Sequence, residues 1–413
     1  MGGLTSAVPA EAWARIKGIG GAELVVGIPS YNNSTTIAHV VGTAAEGMAT
    51  HFPGLKGVVV NADGGSTDET RRVVESAPVP SGVRKLSLVY QGVPGKGSAF
   101  RAIFETARAL GAKACVVVDS DLRSITPDWI RLLAGPVLDG RFGYVAPYYV
   151  RHKYDGTITN SIAYPLTAAL YGVAVRQPIG GDFGFSGRLL DCYLGQDVWE
   201  TDVARFGVDI WMTTTALNEG FAVAQACLGA KLHDPKDPAA SLGPMFRQVV
   251  GTLFGLMGRY RSRWELVSGV QAAPLLGDAA AVEPEPVRVD VPALIERFRV
   301  AFAAEYPFWV DFVAEENLRV LDEINRLGPS EYRFPVELWV RLVYDFAVAY
   351  NRNGLDRNRV VDSLTGLYYG RTASFCLETA GMTTAEAERQ VIGEVARRFV
   401  ELKPYVESRW AAG

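Results

Sequence analysis

Two aspartates one residue apart, Asp119 and Asp121, end the apolar part of "ACVVVDSDLRSITPDWI" (114–130). A strand of small β-branched residues leads into them, and where it gives way to a turn both carboxylates can bend toward one ligand. Converging carboxylates repel unless something positive lies between them. A divalent metal carrying a nucleoside diphosphate meets that need, because hard oxygen ligands suit Mg²⁺ or Mn²⁺, which fill their remaining positions with water and phosphate. The plainer reading of such a pair is a solvated turn or a helix cap.

Two other stretches have chemistry to offer. In "NADGGSTDETRRVV", Gly64 and Gly65 free the backbone after Asp63 to turn tightly, and Ser66, Thr67 and Asp68 can cap the next helix. "GVPGKGSAF" sets Lys96 between glycines just ahead of a helix. It lacks the G-x-x-x-x-G-K-[ST] spacing of a P-loop, yet a lysine and backbone amides at a helix N-terminus can neutralise a phosphate.

The elements that must position these residues follow from periodicity. Between Glu23 and Arg151, the runs "LVVGIPSY", "GVVVNADGG", "KLSLVY", "ACVVVDSD" and "YVAPYYV" alternate with helical stretches. This predicts an α/β domain with a mainly parallel sheet covered by helices on both faces. Phe100, Ile103, Phe104, Ala107 and Leu110 share one helical face and are assigned to the core. Ligands of open α/β sheets bind beyond the carboxyl ends of the strands, so "PSYNNS", "NADGGSTD" and "DSDL" can line one crevice.

Prolines and weak periodicity place a linker at 269–289, dividing a domain at 1–268 from an all-helical one at 290–413. In the latter, Asp290 before Pro292 and Thr383 three before Glu386 read as helix starts. "LWVRLVYDFAVAY" and "LYYGRTASF" offer more apolar surface than a small bundle needs, which points to self-association as a homo-oligomer; packing on the first domain is the alternative.

Composition narrows the class. A net charge of −4 argues against a nucleic-acid partner. Cys115, Cys192, Cys227 and Cys376 lack C-x-x-C spacing, so neither a zinc site nor a disulfide framework is indicated. The N-terminus lacks the basic flank and apolar run of a signal peptide, and no window approaches about 18 uncharged apolar residues. A cytoplasmic enzyme with no membrane partner is expected.

In order and spacing these motifs resemble nucleotide-sugar glycosyltransferases of the GT-A fold. Further stretches, "QPIGGDFGFSG" (177–187), "FGVDIWMTTTALNEGF" (206–221) and "GAKLHDPKD" (229–237), are similar to the retaining mannosylglycerate and glucosyl-3-phosphoglycerate synthases, and the helical part at "FPVELWVRLVYDFAVAY" and "LTGLYYGRTASF" is similar to mannosylglycerate synthases. The resemblance implies a Rossmann-like GT-A domain followed by a helical domain. Pro29, Ser30, Tyr31 and Asn33 would border the base, Asp63 and Gly64 the nucleoside, and Lys96 the diphosphate or base region. Asp119, Ser120 and Asp121 would form the metal motif, with Asp121 and His233 as ligands of Mg²⁺ or Mn²⁺ and Asp119 nearer the ribose or as a further ligand.

Asp209 matches the acid near the reaction centre; by its position alone it reads as an N-terminal helix cap. Arg151 and Thr159, with Ile179 and Gly180, match the residues that hold a glycerate carboxylate, a task suited to a guanidinium fork. The phosphoglycerate-using enzymes carry an arginine where Thr157 stands here. Both related families tend to have glutamate where Asn33 stands, so the base is open. The implied reaction moves mannose or glucose from GDP-mannose, UDP-glucose or a similar donor to D-glycerate or another small hydroxy acid, with retention. A glucosyl-3-phosphoglycerate synthase-like enzyme is the alternative. More distant rivals are a sugar-1-phosphate nucleotidyltransferase, whose N-terminal Gly-rich stretch and lysine are missing from "VVGIPSYNNS", and a non-catalytic nucleotide-sugar-binding scaffold.

Overall fold

Ten strands follow in chain order: β1 (Leu24–Ser30), β2 (Gly57–Asp63), β3 (Val83–Val89), β4 (Ala114–Val117), β5 (Tyr144–Val150), β6 (Val173–Ala174), β7 (Phe183–Ser186), β8 (Val223–Ala230), β9 (Gln271–Ala272) and β10 (Leu275–Leu276). The computed structural model from which they are read describes residues 5–232, 238–278 and 284–411. Eight of the strands form one sheet in the order β10-β8-β5-β7-β4-β1-β2-β3. All neighbours are parallel except β7, which runs antiparallel to both β4 and β5. Every residue of β1, β2 and β4 is buried, as expected for parallel strands covered on both faces.

One covering layer comes from the helices Ile37–His51 and Pro127–Leu138, whose Ile37, Val41, Met48, Ile130 and Leu133 join Val26, Val59 and Val116 in a single core. Helix Lys96–Ala109 buries Phe100, Ile103, Phe104 and Ala107, and Leu110 follows just past its end, so the anticipated stripe is core. The β1–β2 register pairs Ser30 with Asp63, and Asp119 follows just beyond β4. The three polar strand endings therefore lie at the same edge of the sheet.

The chain forms two compact units that interleave along the sequence. The first holds Met1–Val150, Gln177–Lys236 and Ala273–Glu283; the second holds Arg151–Arg176, Asp237–Ala272 and Pro284–Gly413. A single boundary near 269–289 does not describe this. Within that expected linker, Gln225 donates to the Pro274 and Ala273 carbonyls and β10 extends the main sheet, while β9 pairs with β6 in the second unit. Residues 151–176 belong with the helices because polar groups anchor them there. Lys153 donates to the Thr379 and Met382 carbonyls at 2.7 and 2.5 Å, Arg176 pairs with Glu388 at 2.5 Å, and Trp339 Nε1 donates to the Ser161 carbonyl at 2.9 Å.

The second unit is helical, and its start signals were legible: Asp290 accepts from Ala293 N, and Thr383 with Glu386 forms a capping box. Helix Val336–Asn351 buries Leu338 through Val340 and Leu342 through Ala349. The apolar surface from which self-association was expected is thus consumed within the chain, and the stripe gives no argument for an oligomer. Cys115, Cys227 and Cys376 are buried and Cys192 half-buried, all as free thiols. No helix among the described residues is long and apolar enough to cross a membrane.

Candidate active site

At the carboxyl edge of the sheet, three carboxylates alternate with two ammonium groups. Lys96, the first residue of its helix, reaches Asp119 Oδ1 at 2.9 Å and Asp209 Oδ2 at 3.2 Å. Lys231, just past β8, holds Asp119 Oδ2, Asp182 Oδ2 and the Gly180 carbonyl, each at 2.8 Å. Burial alone would lower the Lys96 ammonium, but the carboxylates of Asp119 and Asp209 overcome it and hold the pKa above the usual lysine value.

The helix start that carries Lys96 is seated by close backbone contact. Gly97 N donates to the Arg205 carbonyl, and a Cβ at Gly97 would stand 1.8 Å from the Val203 carbonyl oxygen. Only glycine allows that approach.

Asp209 lies in the first turn of helix Val208–Asn218, where the N-cap position is Gly207 and no side chain caps the helix. The capping alternative therefore fails. Its Oδ2 meets Lys96, whereas its buried Oδ1 has no hydrogen-bond partner among the described residues. Burial pushes the Asp209 carboxyl up, and Lys96 pulls it part of the way back. A buried carboxylate oxygen without a donor is costly and marks a place where a hydroxyl would be welcome.

The neighbouring loops are tied together. Asn33 Oδ1 accepts from Tyr31 N at 2.9 Å and from Ser120 Oγ at 2.8 Å, and Thr36 Oγ1 donates to the Ser120 carbonyl, so the loop after β1 braces the Asp119–Asp121 turn. Tyr31 follows Pro29 and Ser30 into the open and is 62% exposed, leaving its ring available for stacking. Asp63 is hydrogen-bonded within its own turn. Its two oxygens accept from Gly65 N, Ser66 N, Ser30 Oγ and Ser66 Oγ, while Gly64 N bonds to the Ser30 carbonyl. Four hydrogen bonds fill a carboxylate's acceptor positions, so Asp63 shapes the turn.

Asp121 is buried in that turn. The chain just past β8 is laced to the same loop: Arg123 N donates to the Leu232 carbonyl at 2.9 Å and Leu232 N to Ser124 Oγ at 3.0 Å. His233 itself lies outside the described residues. Among the described residues no group of three or more His, Cys, Asp or Glu side chains could hold a metal ion. Asp121 with one imidazole remains a suitable donor set for Mg²⁺ or Mn²⁺, which are held by one or two protein ligands plus substrate phosphates. Asp119 fits a metal less well, since a lysine already sits on each oxygen.

Ile179 and Gly180 belong to the loop that supplies Lys231 with a carbonyl, and Thr213 anchors that loop by donating to the Pro178 carbonyl at 2.7 Å. Arg151 and Thr159 lie in the second unit. There Arg151 makes a two-pronged pair with Asp155 at 2.8 and 3.1 Å, and Thr159 is buried at the start of a π-helical turn. Thr157 shares a hydrogen bond with the Tyr368 hydroxyl.

Asp182, and the part Lys231 plays in this cluster, were missed by the reading of the sequence. Both stand in stretches that resemble the retaining synthases, and "GGD" just before β7 was the available clue.

Residues 25–186 match the family model described as glycosyl transferase family 2. That stretch runs from β1 to the end of β7 and includes Lys96, Asp119, Asp121 and Asp182; Asp209 and Lys231 lie beyond it. The mainly parallel sheet with helices on both faces is the GT-A arrangement expected from the motifs. Among solved structures, the chain is similar to glucosyl-3-phosphoglycerate synthase from Mycobacterium tuberculosis in complex with Mn²⁺, UDP and phosphoglyceric acid: 27% identity over 59% of this chain and 82% of that one, TM-score 0.46. The same enzyme with Mg²⁺ and UDP gives 26% identity over 60% and 85%, TM-score 0.45. With Mn²⁺, UDP-glucose and glycerol 3-phosphate it gives 26% over 62% and 86%, TM-score 0.43. A search of curated proteins finds no significant match.

Proposed function

We propose that this protein is a metal-dependent retaining glycosyltransferase that moves mannose or glucose from a nucleoside diphosphate sugar to a small hydroxy acid, D-glycerate first among them. The observation that carries the reading is the buried Oδ1 of Asp209 beside Lys96, which has no hydrogen-bond partner among the described residues, in a chain whose residues 25–186 match glycosyl transferase family 2. That oxygen would accept the hydrogen bond of the acceptor hydroxyl and orient it. Lys96 supplies positive charge for a departing diphosphate. Asp121 and His233 would hold Mg²⁺ or Mn²⁺, which when bound stabilises negative charge on the leaving group. Tyr31, with Pro29, Ser30 and Asn33, would border the base, and Asp63 would serve the nucleoside indirectly through its turn.

Arg151 and Thr159 are the residues proposed to hold the acceptor carboxylate. A phosphorylated acceptor is the less favoured reading because an uncharged threonine, Thr157, stands where the phosphoglycerate-using enzymes carry an arginine. The test is competition between D-glycerate and 3-phosphoglycerate, with nucleoside diphosphate release and product analysis as readouts across GDP-mannose and UDP-glucose. D-Glycerate should be favoured by about tenfold or more in kcat/KM. Arg151→Ala should raise the glycerate KM, a loss of about 1.5–3 kcal/mol for a charge-assisted hydrogen bond. A clear preference for 3-phosphoglycerate, or unchanged glycerate kinetics in Arg151→Ala, would remove the acceptor assignment.

A further inference from the structure

Asp182 is fully buried, and nothing said so far about the reaction requires it. Antiparallel pairing of β7 with β4 sets Phe183 against Val117, which brings Asp182 alongside the chain as it leaves β4. Its Oδ1 accepts from Asp119 N at 2.8 Å, and its Oδ2 accepts from Lys231 Nζ at 2.8 Å and from the Tyr149 hydroxyl. The carboxylate thus grips the Asp119 backbone with one oxygen and the ammonium on the Asp119 side chain with the other.

Gly181 makes this approach feasible. Its φ is +91°, and a Cβ there would lie 2.4 Å from Asp119 Oδ2 and 3.0 Å from Lys231 Nζ. A buried carboxylate is expensive to hold in a protein interior, and an apolar side chain would pack there at lower cost. What a carboxylate adds is a fixed location for two other charges.

We infer that Asp182 is a positioning residue for donor recognition: it fixes Lys231 and the Asp119 turn, and through their shared carboxylate the place of Lys96. This rests on the glycosyltransferase reading. Without the Asp182 charge, the bond of Lys231 to Asp119 is no longer shared with a second carboxylate, and its pull on Asp119 competes with that of Lys96.

The test is a double-mutant cycle of Asp182→Asn and Lys231→Met in the full chain, reading kcat and KM for nucleotide sugar and acceptor separately, alongside thermal melting. Asp182→Asn should raise the donor KM by about tenfold, leave the acceptor KM within about twofold, and cost little more once Lys231→Met is present. An equal effect in both backgrounds, or unchanged donor kinetics, overturns the inference and leaves a purely structural aspartate. Should Asp182→Asn fail to fold, Tyr149→Phe decides. It keeps every charge and removes one hydrogen bond to Oδ2, and should raise the donor KM several-fold; no change overturns the proposal. A wild-type protein that turns over no nucleotide sugar defeats the functional reading and this inference with it, whereas an active wild type with an indifferent Asp182→Asn defeats the inference alone.

Discussion

Asp209 stands in the first turn of its helix, caps nothing, and keeps one buried oxygen without a donor among the described residues. If that oxygen receives the acceptor hydroxyl, Asp209→Asn should lower kcat by about 10²-fold while nucleotide binding, followed calorimetrically, changes little. A normal kcat would return Asp209 to a structural role. The pH dependence has a definite sign. Burial raises the Asp209 carboxyl and Lys96 only partly reverses this. The deprotonated form is the acceptor of the hydroxyl hydrogen, so activity is lost as pH falls through the raised value. The acid limb of the kcat profile should therefore lie above the ordinary aspartate value of about 3.9, and should vanish in Asp209→Asn. The plain sequence reading of Asp209 as a cap was reasonable, since residue type and position near a helix start look identical for a cap and for an acid two residues further in.

At the scale of elements, the strands and their polar endings were legible because parallel strands buried on both faces must be nearly continuous apolar runs. The helix Lys96–Ala109 was legible from its apolar stripe, but its seating was not, because the partner backbone at 203–205 is more than a hundred residues away in sequence. Gly97→Ala tests that seat. A Cβ pressed against the Val203 carbonyl must displace the helix start, costing about 1–3 kcal/mol by chemical denaturation and raising the donor KM as Lys96 moves. Asp63 shows the converse limit. Its type and its glycine turn suggested a contact with nucleoside, while the four internal hydrogen bonds that occupy it depend on how Ser30 and Ser66 fold around it. Asp182 escaped notice for a similar reason: only the antiparallel β7–β4 pairing brings it beside Asp119.

For the whole molecule, composition and periodicity divided an α/β part from a helical part, but a linear cut could not reveal that residues 151–176 fold with the helices. The bonds that decide this, such as Trp339 to the Ser161 carbonyl, join residues far apart in the chain. Trp339 is fully buried, so Trp339→Ala should cost about 3–5 kcal/mol in the unfolding of the helical unit, with a smaller loss in Trp339→Phe, which keeps most of the volume and drops the hydrogen bond. The central claim concerns transfer of a sugar by the carboxylate and lysine cluster, and the most direct measurement is nucleoside diphosphate release from GDP-mannose, UDP-glucose and related donors with D-glycerate, with and without Mg²⁺ or Mn²⁺. The expected result is release that needs both acceptor and metal, stops in chelator, and falls by about 10²-fold or more in Asp121→Ala and in His233→Ala. Release that persists undiminished in metal-free protein, or no release from any donor by folded wild-type protein, would contradict it.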